Sequence, residues 1–129
     1  MKRDGVLNEA LAGALARLGH TDLVVVGDCG LPRPHGVPVV DLALTFGVPT
    51  FAQVIDALHQ EIVVEGIVVA RETSTHNPAV DDLLRARFGE PVLVSHDELK
   101  ERSATARLFV RTGEATPYAN VLLRCGVPF

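Results

Sequence analysis

The sequence predicts an α/β fold in which a central β-sheet is covered by helices, and three observations carry the prediction. Segments of helical period alternate with short apolar runs of strand length along the chain. The run Leu23–Val26 is unbroken and Val-rich, as suits a strand buried on both faces. Glycine and proline punctuate the changeovers, at Gly19, Gly30 to Pro38, Gly47-Val48-Pro49, Asn77-Pro78 and Gly89.

The elements follow in order. Leu7, Leu11, Ala14, Leu15 and Leu18 recur at three- and four-residue steps and give one apolar helix face, with Asn8 to cap its start and Gly19 to end it in a left-handed conformation. Leu23–Val26 is the first strand. Gly30, Pro32, Pro34, Gly36 and Pro38 then make a stiff loop carrying Arg33 and His35. Val39–Leu44 is a second strand, with Asp41 as its one charge. Thr50-Phe51-Ala52-Gln53 has capping-box spacing, and Phe51, Val54, Ile55 and Leu58 form the helix face behind it. Glu61–Ala70 is rich in Val and Ile and reads as a long strand, with a bulge or wet face at Glu65-Gly66. Asn77-Pro78 starts a helix that carries Val80, Leu83, Leu84 and Phe88 and stops at Gly89. Pro91–Val94 is a strand, and Ser95-His96-Asp97-Glu98 repeats the capping-box pattern at the head of another helix. Arg107–Arg111 and Val121–Arg124 are the last strands. The apolar ending Gly126-Val127-Pro128-Phe129 is expected to be docked rather than frayed.

Composition narrows the function. The 129 residues suit one domain over 1–129, without repeat or linker. A net charge of −4 argues against nucleic acid, and the lack of Trp with a single Tyr argues against a base-stacking platform. No apolar run reaches the roughly 20 residues of a membrane helix. Met1-Lys2-Arg3-Asp4-Gly5 leads into no apolar segment, so a cytoplasmic location is expected over secretion. Cys29 and Cys125 make neither a disulfide framework nor a zinc motif, no clustered metal ligands occur, and Gly27-Asp28-Cys29-Gly30 is not a phosphate cradle. Neither metal nor cofactor is expected. With 47% hydrophobic residues, the chain is expected to hide surface in an oligomer.

Several residues could carry chemistry. His20 stands between a helix-stopping glycine and a strand; histidine titrates near neutrality and so suits proton transfer, although a histidine there can also satisfy helix carbonyls. Asp28 follows the strand directly, where α/β folds place ligand-binding groups, and where a turn-forming aspartate would equally stand. His96 lies in the first turn of a helix, whose dipole disfavours a protonated ring; a neutral imidazole can donate to or accept from a hydroxyl. The alternative is a solvent-exposed first-turn histidine, and His59 and His76 read as surface residues. Tyr118-Ala119-Asn120 offers an aromatic face, a hydroxyl and an amide, the groups a sugar needs, or else a turn plug. A strand from Asp22 to Gly27 separates His20 from Asp28 by about 15–20 Å. A site holding both needs the fold or a neighbouring subunit to join them.

Leu18-Gly19-His20-Thr21-Asp22, Asp28-Cys29-Gly30-Leu31-Pro32, Asp41-Leu42-Ala43-Leu44, His76-Asn77-Pro78, Arg111-Thr112-Gly113-Glu114 and Pro117-Tyr118-Ala119-Asn120 together resemble the ribose pyranase and fucose mutarotase family, in its pyranase branch. The resemblance runs from Leu7 to Phe129. It departs at Cys29, where the family often has Ala, and in a shorter segment between Phe88 and Val92. It implies interconversion of β-D-ribopyranose and β-D-ribofuranose without a cofactor, in a cytoplasmic, ring-shaped homo-oligomer, a decamer or an octamer. It further implies that His20 is the proton donor and that Asp28, His96, Tyr118, Ala119 and Asn120 bind the sugar. The alternatives are a mutarotase for fucose or a related sugar on the same scaffold, and a sugar-binding module without turnover.

Overall fold

The computed structural model describes residues 1–129. In chain order the elements are α1 (Glu9–Leu15), β1 (Leu23–Gly27), β2 (Val39–Asp41), α2 (Phe51–Glu61), β3 (Val64–Ala70), α3 (Arg71–His76), α4 (Pro78–Phe88), β4 (Val92–Val94), α5 (His96–Ser103), β5 (Leu108–Arg111) and β6 (Val121–Cys125). The strands form one six-stranded sheet in the order β2-β5-β1-β6-β3-β4. β1 pairs in parallel with β5, β5 with β2, and β3 with β4, whereas β6 is antiparallel to both β1 and β3. Five strands therefore point one way and β6 runs against them. No helix is long and apolar enough to cross a membrane.

The alternation of side chains along β1 divides the core. Val24 and Val26 join Leu11 and Leu15 of α1, the Phe51, Val54, Ile55 and Leu58 stripe of α2, and Val80 and Leu84 of α4 on one face. Val25 points to the other face, with Phe109, Leu122 and Leu99 of α5. All three valines are fully buried, as a strand covered on both sides requires. Each fully buried Leu or Phe contributes about 1.5–3 kcal/mol.

Most local signals act as their chemistry dictates. The Asn8 side chain accepts from the Leu11 N–H at 2.9 Å, and Thr50 and Gln53 complete a reciprocal capping box. Gly89 takes φ 83° behind α4, and the register of β3 against β6 slips between Val64 and Gly66, a bulge at Glu65. Other expectations are corrected. α1 ends at Leu15, and Gly19 is not left-handed; Thr21 is, at φ 69°. The reason is local: the Asp22 carboxylate takes the Gly19 N–H at 2.8 Å, and the Cys125 carbonyl takes the Thr21 N–H at 2.9 Å. β2 stops at Asp41, three residues early, where the carboxylate accepts the Ala43 N–H and turns the chain. Glu61 belongs to α2, so β3 starts only at Val64. At α5 only half of the capping box forms, because Glu98 pairs with Arg102. The tail is not docked. Gly126 bonds to the Val63 carbonyl, and beyond it the chain leaves the sheet, with Phe129 wholly exposed.

Candidate active site

The carboxyl ends of β1, β3, β4 and β5 gather at one pole of the sheet, joined there by the amino end of the reversed β6. Open α/β sheets bind ligands at such a pole. Here a cavity of about 310 Å³ is lined by Asp28, Gly30, Leu31, Pro32, His96, Pro117, Tyr118 and Asn120. Asp28 follows β1, Asn120 precedes β6, and His96 opens α5 directly after β4. Four of the residues singled out in the sequence are thus brought together.

Their bonding differs in kind. Asn120 is buried; its Oδ1 accepts the Asp28 N–H at 2.9 Å, while its Nδ2 has no protein partner. Gly27 permits this approach, since a side chain there would strike Leu31 and crowd Asn120 Oδ1. Asp28 does serve as a turn-former, its Oδ1 accepting the Gly30 N–H at 2.9 Å, yet it also lines the cavity. His96 is not a solvent-exposed first-turn residue: its Nδ1 is buried and without a partner. Buried polar groups are bonded in the great majority of cases. Two orphans in one cavity, one an amide donor and one an imidazole nitrogen, therefore point to a polar ligand. Ala119 is fully buried with its side chain in the core, which leaves only its backbone for a ligand.

Tyr118 is held between two histidines. His76 stacks on it with centroids 5.1 Å apart and planes at 29°, and His96 meets it edge-on, also at 5.1 Å. His76 is exposed as predicted, but it belongs to this wall of the site. Tyr118 sits at φ 60°, a backbone conformation costly for a bulky residue. Its carbonyl accepts from Thr73 Oγ1 at 3.0 Å, and Asn77 Nδ2 donates to Thr116 Oγ1 and the Pro117 carbonyl at 2.8 and 2.9 Å. Asn77 starts α4, but its side chain makes no cap bond because its amide serves this loop. Glu72 accepts the His96 N–H at 3.0 Å. α3 therefore holds both the tyrosine loop and the head of α5. Sequence reading missed this helix, since Arg-Glu-Thr-Ser-Thr-His has no apolar period.

The segment Arg111-Thr112-Gly113-Glu114 clamps the other wall. Thr112 gives its N–H and hydroxyl to the Gly27 carbonyl, Arg111 Nε donates to the Cys29 carbonyl, and the Glu114 carbonyl accepts the Cys29 N–H. The Glu114 carboxylate meanwhile caps α2 through the Phe51 N–H at 3.0 Å. Asp41, the one charge of β2, pairs with both Arg111 and Arg33. Burial alone would raise its carboxyl, but the Ala43 N–H, Arg111 and Arg33 hold it below the ordinary value.

His20 lies at the opposite pole, where β1 and β3 begin and β6 ends. Its side chain is about half exposed, and Nε2 lies 2.9 Å from Glu65 Oε2. It lines a groove of about 710 Å³ with Leu15, Leu18, Ile62, Val127 and Phe129 among others. Burial first, then the Asp22 and Glu65 carboxylates, push the neighbouring Cys125 thiol up. His20 makes no hydrogen bond to a helix carbonyl. Within one chain the fold keeps His20 apart from Asp28, with the whole of β1 between them.

Comparison with known proteins agrees with this architecture. A profile of the RbsD / FucU transport protein family matches residues 1–128. D-ribose pyranase 1 of Rubrobacter xylanophilus and D-ribose pyranase of Streptomyces avermitilis are each 60% identical to the chain over 129 residues, covering all of both proteins. The structure of Bacillus subtilis RbsD complexed with D-ribose superposes with a TM-score of 0.94 at 43% identity, again over the whole of both chains. With the profile matching almost end to end and these relatives covered in full, the chain belongs to the RbsD / FucU family.

Proposed function

We propose that this protein is a D-ribose pyranase, an isomerase that interconverts β-D-ribopyranose and β-D-ribofuranose by general acid–base ring opening and closure. The observation that carries the reading is the pair of buried, unpartnered atoms, His96 Nδ1 and Asn120 Nδ2, on two residues that line one cavity with Tyr118 and Asp28. A sugar hydroxyl both donates and accepts, so it suits an amide N–H, an imidazole nitrogen and a carboxylate oxygen in one small space. The full-length likeness to proteins named for this activity supports the same reading.

The chemistry asks little of the site. In ring opening, the bond between the anomeric carbon and the ring oxygen breaks, its electron pair goes to that oxygen, and His20 supplies the proton. The anomeric hydroxyl becomes a carbonyl as its proton passes to solvent. For closure, the 4-hydroxyl adds to the carbonyl carbon and returns its proton to His20, and the carbonyl oxygen regains a proton from solvent. No electrons are transferred, so the reaction itself requires no redox cofactor. A positioned general acid contributes about 10²–10⁴-fold. Asp28, His96, Tyr118, Asn120 and the backbone of Ala119 orient the hydroxyls.

His20 stands at the wrong pole to act within its own chain, so a complete site takes His20 from one copy and the cavity from another. The groove beside His20, with exposed Val127 and Phe129, offers apolar surface for that contact. A ring-shaped homo-oligomer and a cytoplasmic location belong to the same proposal. Saturation-transfer NMR on ribose and fucose anomers, with wild type and His20→Ala, is the test. Accelerated ribose exchange that collapses in the variant is expected. Wild-type rates in His20→Ala remove His20 from the role, and faster exchange of fucose than ribose overturns the substrate. Dissociated protomers should be inactive; an active monomer refutes the two-copy site.

A further inference from the structure

Thr73, His76 and Asn77 stand at steps of three and four along α3 and its cap, so they share one face, and all three serve the loop before β6. Thr73 and Asn77 bond to the Tyr118 carbonyl, the Thr116 hydroxyl and the Pro117 carbonyl. None of these bonds reaches the phenol ring. Aromatic packing holds it instead. His76 lies over the ring with centroids 5.1 Å apart and planes at 29°, and His96 meets it edge-on. Both arrangements are ones that aromatic pairs favour. The two histidines are not equivalent, since His96 lines the cavity and His76 does not. His76 is exposed, and an imidazole suits such a place: it sets a flat apolar body against the phenol and leaves a polar edge to water.

We infer that His76 is a positioning residue for Tyr118, holding the phenol ring in the empty site where the sugar is to meet it. Without a neighbour on its face, a tyrosine side chain samples several staggered positions. A ligand that has to order such a side chain gives up affinity, and a ring already fixed spares it about 2- to 10-fold. The stack thus acts before the sugar arrives, on binding rather than on proton transfer. The inference rests on the sugar site proposed above and adds to it a residue that stands outside the cavity.

Tyr118 is the only tyrosine in a chain without tryptophan, so the tyrosine band of the near-ultraviolet circular dichroism of the assembled protein reads this one ring. His76→Ala removes the stack at an exposed position where alanine favours the helix, and the urea midpoint should not fall. The tyrosine band should lose most of its intensity. In a ribose titration followed by saturation-transfer NMR, KM should rise about 2- to 10-fold. Exchange at saturating sugar should stay within about 2-fold, the pattern of lost binding rather than lost chemistry. His76→Phe keeps a flat ring over the phenol and should restore both the band and the KM. Wild-type KM in His76→Ala overturns the inference, and so does a raised KM with an unaltered tyrosine band. Equal losses in His76→Ala and His76→Phe overturn the stack as the agent. A wild-type protein that does not accelerate ribose exchange overturns the function on which the inference rests, while the tyrosine band still decides whether His76 holds the ring.

Discussion

Replacing Thr73 by Val isolates the contribution of α3 to the sugar cavity. Thr73 is fully buried, and its hydroxyl donates to the Tyr118 carbonyl at 3.0 Å. With the two Asn77 bonds, three hydrogen bonds secure the loop from Thr116 to Tyr118. At about 0.5–1.5 kcal/mol net for each, they favour the ordered loop by roughly 1.5–4.5 kcal/mol. The left-handed backbone of Tyr118 offsets about 1–2 kcal/mol of this. The remainder is on the order of 1–2 kcal/mol. Valine copies the shape of threonine but leaves the Tyr118 carbonyl without its donor, at a cost of about 1–3 kcal/mol. Against the middle of that remainder, about 1.5 kcal/mol, a cost near the middle of its range, about 1.5–2.5 kcal/mol, leaves the loop between parity and roughly 1 kcal/mol in favour of release. The competent fraction, and apparent ribose affinity with it, should fall roughly 2- to 6-fold. A ribose titration followed by saturation-transfer NMR reads this as a raised KM. Thr73→Ser is the control: it keeps the hydroxyl, loses about 0.8 kcal/mol with the buried methyl, and should bind ribose normally. Wild-type affinity in Thr73→Val would show that α3 does not frame the cavity.

Gly113→Ala should lower stability by about 1–3 kcal/mol, seen as a lower urea midpoint, because the new methyl collides with the Val48 and Thr45 carbonyls, which are backbone and cannot swing aside. An unchanged midpoint would mean that the Thr45–Val48 turn yields freely. Asp41→Asn should destabilise at neutral pH and progressively less in acid. The folded carboxyl lies below its ordinary value, so its stabilisation is present above the unfolded value of about 3.9 and is lost as pH falls through the lower folded value. Urea melts of both proteins from pH 7 to 3 should therefore converge; a gap that widens in acid contradicts the assignment.

The fold was legible wherever one residue type serves one local purpose. The Leu23–Val26 run, the Thr50 capping box and the Glu65-Gly66 bulge all act over a few residues, and each stands where it was read. Gly19 misled because the carboxylate of Asp22 did the work a left-handed glycine would have done. α3 was invisible because its stabilising contacts are tertiary: Glu72, Thr73 and His76 face the heads of other elements rather than a hydrophobic core. Residue types picked out Asp28, His96, Tyr118 and Asn120, and the sheet explains why they meet, since each stands at a strand end of the same pole. The extended length of β1 keeps His20 away from them. No sequence pattern linked Glu65 to His20, which lies 45 residues earlier and meets it only through the bulge.

The reversed direction of β6 has a consequence for counting. This one strand begins at Asn120 and carries Arg124, partner of Glu65, near its end, so every copy bears two unlike halves facing opposite ways. Copies joined head to tail through such halves make one fewer whole site than there are copies, with a lone half left at each end. Only closure into a circle matches every half. On the proposed two-copy site, the circle is therefore a matter of stoichiometry before it is one of stability: an open string of five protomers would hold about four working sites, and the same five in a ring would hold five.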